Sequence, residues 1–102
     1  MRRVMHGDIV TAARALLSVP NEQRRALCRC LIQNADFAHR YFKRFGRSHQ
    51  SWGDGSLMLA ASKRPLAVEP DFSDSTYCRC VAMVLNELLT WRDRRQITRM
   101  RS

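Results

Sequence analysis

From Asn21 to Phe45 the chain holds neither proline nor glycine, and within that stretch Cys28, Leu31, Ala35, Ala38, Phe42 and Phe45 follow one another at spacings of three, four, three, four and three. Residues so spaced return to one side of an α-helix, because about 3.6 residues complete a turn. The spacing predicts one long helix over about 21–46 with a heptad seam. At about 1.5 Å per residue it is a rod of roughly 37 Å, so everything else in a small domain has to be arranged around it. Tyr77, Val81, Val84, Leu88 and Trp91 repeat the pattern at four, three, four and three. That predicts a second long helix over about 75–95, with Asp74 or Ser75 as its N-cap. Two amphipathic rods in one short chain are expected to bury their stripes on each other, as an antiparallel pair.

The shorter elements follow from punctuation. Gly7-Asp8 stands before Ile9, Ala13, Leu16 and Leu17, which predicts a short helix over about 8–18. Pro20 breaks it and, with Asn21, can open the next helix. Gly46 is placed to end the long helix, and the polar stretch Arg47 to Gly55 is a loop with Gly53 and Gly55 as turn residues. Ser56 can cap a second short helix over about 56–63, which stops before Pro65; Pro65 to Ser75 is a second loop. No segment alternates with a period of two, so the class is all-α, a small bundle of two long and two short helices. Its expected core is Leu16, Leu17, Leu31, Ala35, Phe42, Leu57, Val81, Val84 and Leu88.

With 102 residues, 45% of them apolar, the chain has room for one domain over 1–102 and enough apolar residues to fold it. Every long apolar run is interrupted by Arg, Lys or Asp, so no membrane contact is expected. The first residues, Met1 to Asp8, have no apolar core of the kind an export signal needs. The expected compartment is therefore the reducing cytoplasm, and the four cysteines are read as thiols.

Several constellations are of types that can carry chemistry. Cys28-Arg29-Cys30 and Cys78-Arg79-Cys80 form a paired C-x-C pattern, but residues two apart on a helix point about 200° apart and cannot converge on one metal. Cys28 and Cys80 are instead expected in the core, near enough for one cysteine of each helix to meet the other. His6, His39 and His49 form no ligand pair, and Gly53-Asp54-Gly55-Ser56 lacks the Lys and the preceding strand of a phosphate-binding loop. Ser56 has no His-Asp arrangement beside it. These readings predict no catalytic residue, no metal and no cofactor.

What does distinguish the chain is charge. Lys and Arg number 18 against 9 Asp and Glu, a net of +9, and sixteen of the cations are arginine. Between Arg24 and Arg47 the net is +6, with Asp36 the sole acid; from Gly53 to Thr90 it is −2; from Trp91 to Ser102 it is +4, a basic tail from about 92. Guanidinium groups bind phosphate and carboxylate through a bidentate fork, and non-specific nucleic-acid affinity comes mainly from neutralised phosphates. Arg40, Lys43, Arg44 and Arg47, together with Arg92, Arg94 and Arg95, are the candidate phosphate contacts.

The run His6-Gly7-Asp8-Ile9-Val10-Thr11-Ala12-Ala13-Arg14-Ala15-Leu16-Leu17-Ser18-Val19-Pro20, then Gly46-Arg47-Ser48-His49 and Trp52-Gly53-Asp54-Gly55-Ser56-Leu57-Met58, resembles a family of short basic helical alphaproteobacterial proteins with no known activity. In size, helicity, basic charge and its long seamed helix the chain is also similar to the small terminase subunits of tailed phages and gene transfer agents. That likeness implies a non-enzymatic DNA-packaging component that binds DNA weakly through its phosphates, forms homo-oligomers and acts through a large terminase. The alternative is a regulatory adaptor whose basic face docks an acidic protein. Phe37 and Tyr41, and Met83, Leu85 and Leu89, lie off the two seams, so self-association or docking through those faces is expected as well.

Overall fold

A computed structural model of the protein describes residues 1–101, and the side chains of residues 1–96. Four helices and no strands are present among them: α1 (His6–Leu17), α2 (Asn21–Phe45), α3 (Leu57–Ser62) and α4 (Ser75–Arg101). The predicted punctuation sets most of the ends. Gly46 closes α2 at φ 70°, with its N–H donating to the Phe42 carbonyl. The Ser56 hydroxyl accepts from the Leu59 N–H at 3.1 Å, and the Asp74 carboxylate accepts from the Thr76 and Tyr77 N–H groups at 2.9 and 3.1 Å. The segment read as a basic tail from about 92 continues α4. The side chains of Arg99 and Arg101, counted in its charge, and all of Ser102, lie outside the described set.

α1 begins two residues earlier than its sequence cap suggested, at His6. Asp8 is not the residue before the helix but sits in its first turn, 4% exposed. One carboxylate oxygen accepts from the Met5 N–H at 2.7 Å and the other from the Met58 N–H at 2.8 Å. A single buried charge therefore satisfies orphan donors at the start of two helices, which is where a negative charge is most favourable.

The long helices run in the same direction, which corrects the antiparallel expectation. Arg29 of α2 pairs with Glu87 of α4 at 3.0 Å, and Asp36 of α2 pairs with Arg95 of α4 at 3.2 Å, so later residues meet later residues. The chain between them, through the Arg47 to Gly55 loop, α3 and the Pro65 to Ser75 loop, returns α4 to the beginning of α2. α1 lies against both long helices and runs opposite to them: the Leu16 carbonyl accepts from Arg24 at 3.0 Å, while Met1 reaches Asp36 at 2.7 Å. The second loop is pinned to α1 by a reciprocal pair, Ala67 N–H to the Arg14 carbonyl at 3.2 Å and Arg14 Nε to the Ala67 carbonyl at 2.7 Å.

Of the expected core, Leu16, Leu31, Ala35, Leu57, Val84 and Leu88 are buried, along with Leu27, Cys28, Ile32, Tyr77 and Cys80. Leu17, Phe42 and Val81 are only half-buried. The α2 seam is covered as far as Ala38; beyond it Phe42 packs under the Arg2 guanidinium, 4.8 Å from its ring centroid, and Phe45 is 53% exposed. Cys28 and Cys80 are buried, whereas Cys30 is exposed and Cys78 half-buried, so each C-x-C pair points its two thiols to different environments. Burial chiefly, and then the Glu87 charge, push the Cys28 thiol up to about 12. Tyr77 is fully buried and its hydroxyl has no hydrogen-bond partner among the described residues.

Candidate nucleic-acid interface

Because α2 and α4 run the same way, their basic C-terminal halves lie side by side. The groove between them, about 480 Å³ in volume, is lined by Arg40 and Lys43 of α2, Trp91, Arg92 and Arg95 of α4, and Asp36, His39 and Met1. Two charge clusters far apart in sequence thereby meet in one concavity, an arrangement that antiparallel helices would have prevented. Lys43, in the last turn of α2, also stands against the negative end of that helix's macrodipole.

Asp36 organises the groove. Its Oδ1 accepts from the Met1 ammonium at 2.7 Å and from Arg95 Nη1 at 3.2 Å, and its Oδ2 lies 3.4 Å from Arg40 Nη2. Burial alone would raise the Asp36 pKa, but the ammonium hydrogen bond and the surrounding positive charges outweigh it and hold the carboxyl below its usual range. His39 beside it is depressed, first by burial and then by the Met1 ammonium, so the neutral imidazole is favoured where cations already crowd. Arg40 and Arg95 are thus partly engaged by Asp36. Lys43 and Arg92 have no carboxylate within ion-pair distance among the described residues, and both are exposed.

The other sequence-predicted residues sit around this groove rather than in it. Arg44 is exposed with its guanidinium 5.6 Å from the Phe45 ring centroid, and Arg47 is exposed just past the α2 C-cap. Arg94 lies on the far side of Trp91, beside Arg29 and Glu87. Glu87, 9% exposed, is a second hub: it pairs with Arg25 at 3.6 Å as well as Arg29, and ties α2 to α4.

Residue-by-residue reading of the charge missed Asp36, His39 and Arg2. Asp36 carried a signal, as the one acid in a basic stretch. Arg2 carried none: its Nε donates to the Asp54 carbonyl at 2.8 Å and its N–H to the Gly55 carbonyl at 2.9 Å, which straps the N-terminal segment over α2 and fixes Met1 at the groove. Such contacts span the whole first half of the chain and leave no local pattern. Among the described residues the groove lining is mainly cationic, an arrangement suited to holding an anion.

A family model described as a domain of unknown function (DUF7742) matches residues 2–88, and the chain belongs to that family. No curated protein and no solved structure matches the chain. The family match ends before Trp91, so it covers the α2 side of the groove and leaves out every α4 residue that lines it. No helix is long and apolar enough to cross a membrane among the described residues.

Proposed function

We propose that this member of the domain-of-unknown-function family is a non-enzymatic, DNA-associated protein that holds backbone phosphates in the groove between α2 and α4. The observation that carries the reading is the convergence of Arg40, Lys43, Arg92 and Arg95 on one concavity in which Asp36 is the sole acid. Lys43 and Arg92 are the primary contacts, because no carboxylate has to be released before they meet a phosphate. Arg40 and Arg95 follow, exchanging part of their pairing with Asp36. Arg44, Arg47 and Arg94 extend the positive field outside the groove and steer the encounter. Contact of this kind reads no base edges, so it positions a duplex without selecting sequence. It suits a cytoplasmic packaging component of the small-terminase kind, which hands DNA to a partner such as a large terminase and self-associates to multiply weak contacts.

The test is the salt dependence of binding to an arbitrary duplex, read by fluorescence anisotropy. Four neutralised phosphates predict a log–log slope near −3.6, so affinity is expected to fall about 150-fold between about 50 and about 200 mM salt. Lys43→Glu/Arg92→Glu should lower affinity at every salt concentration and flatten the slope. A wild-type protein that ignores duplex DNA at low salt but captures an acidic protein through the same residues would replace this reading with the adaptor one.

A further inference from the structure

Next to the groove, α2 carries an aromatic surface that contact with a duplex backbone leaves unused. Phe37, Tyr41, Phe45, His49 and Trp52 form a continuous run of ring contacts. Trp52 stacks on His49 at 4.6 Å and 11°, Phe37 meets Trp52 edge-on at 5.0 Å, and Tyr41 touches both His49 and Phe45, at 4.9 and 4.6 Å. The loop is braced to present them. His49 and Gly53 exchange two backbone hydrogen bonds, and the His49 Nδ1 accepts from the Ser51 and Trp52 N–H groups at 3.0 and 3.1 Å. Yet Phe37 is 45% and Phe45 53% exposed, so each keeps part of its surface open to solvent, with the Arg44 guanidinium 5.6 Å from the Phe45 centroid.

These rings are interleaved with cations. No carboxylate occurs between Asp36 and Asp54, while Arg40, Lys43, Arg44 and Arg47 all do. Residues 37, 40, 41, 44 and 45 are neighbours at three- and four-residue spacings on one helix surface. Arg40 belongs both to that stripe and to the groove lining, so the patch and the groove are continuous. Of these cations Arg40 alone pairs with a carboxylate among the described residues, that of Asp36 at 3.4 Å, and a surface made to dock an apolar protein face gains nothing from the others. A single-stranded nucleic acid supplies both complements, a phosphate for each cation and an unpaired base whose π-face stacks on a ring.

We infer that the Phe37–Phe45 face binds single-stranded nucleic acid, its bases stacking on Phe37 and Phe45 and its phosphates held by Arg40, Arg44 and Arg47. This rests on the phosphate-binding reading above and adds the strand state of the ligand. In a duplex the base faces are stacked on one another and closed to the rings, so the aromatic residues matter for single strands alone.

The experiment compares labelled oligothymidylate and a duplex of equal length, each about 20 nucleotides long, with four proteins: wild type, Phe37→Ala/Phe45→Ala, Phe37→Leu/Phe45→Leu and Lys43→Glu/Arg92→Glu. Loss of one stacked base costs about fivefold or more. Both aromatic variants should therefore lose at least about tenfold in affinity for oligothymidylate and less than about twofold for the duplex, while the charge variant loses both ligands. The leucine variant keeps the apolar bulk, so a folding defect in the alanine variant cannot imitate the result. Aromatic variants that bind oligothymidylate like wild type, or that lose both ligands equally, overturn the inference and leave the duplex reading standing. A wild type that binds neither nucleic acid overturns both.

Discussion

Replacing Asp36 with asparagine separates its two roles, as a brace of the fold and as an internal competitor for phosphate. The amide keeps the shape and one acceptor but removes the charge from a site that faces three cations. Arg40 and Arg95 are 71% and 46% exposed and can turn to water, so each lost pairing costs less than about 1 kcal/mol. The Met1 side chain, only 2% exposed, anchors the ammonium against Asp36. Loss of its charge-assisted hydrogen bond costs about 1.5–3 kcal/mol. A total near 3 kcal/mol corresponds to a fall in Tm of about 12–24 °C for a domain of this size, read by the helical circular dichroism signal. The deficit should depend on pH. Because the folded-state pKa of Asp36 is depressed, the stability it contributes is fully present above the unfolded value of about 3.9 and is lost as pH falls through the folded value. The two melting curves should therefore approach each other below about pH 4. In duplex binding the effect reverses. Freed Arg40 and Arg95 should tighten affinity at low salt, with the salt slope staying at about −3.6 because the same four cations meet phosphate, measured well below the variant's Tm. An unchanged Tm at neutral pH, or weaker DNA binding by the folded variant, would refute this account of Asp36.

Tyr77→Phe removes a buried hydroxyl that has no partner among the described residues, so it should stabilise the protein by about 1 kcal/mol in chemical denaturation; a loss of stability would mean that the hydroxyl is satisfied. Gly55→Ala should cost more than about 2 kcal/mol, since at φ +104° a new Cβ would lie 2.6 Å from the His39 Cβ and 2.7 Å from its Cα. Gly46→Ala, where nothing lies within 4 Å of the new atom, should cost only about 1 kcal/mol; equal losses would contradict the clash. Under native conditions an alkylating reagent should modify exposed Cys30 first and Cys28 last, because burial blocks access to Cys28 and holds its thiol up at about 12. Peptide mass spectrometry over time reads that order, and early labelling of Cys28 would show that α2 and α4 separate readily.

The sequence by itself determined the elements and their punctuation. Helix spacing, the Ser56 and Asp74 caps and the Gly46 terminus depend on residues within one or two turns of each other, and so they can be read from the chain. It also named most of the groove's cations, because net charge survives any arrangement. It did not determine the direction in which the long helices meet: a three-four spacing reads identically from either end, so a seam specifies a face but no polarity. That choice lies with α1 and with the connection through α3, whose contacts join residues far apart, such as Asp8 to Met58 and Arg14 to Ala67. The same choice decided the site, since only helices running together bring Lys43 beside Arg92. It also left Phe42 and Phe45 outside the core, with Phe42 half-buried under Arg2 and Phe45 53% exposed. Asp36 shows the division at a single residue. Its isolation among cations was visible in the chain, but its grip on Met1, Arg40 and Arg95 exists only where three segments converge, and electrostatic energy depends on that distance rather than on separation along the sequence.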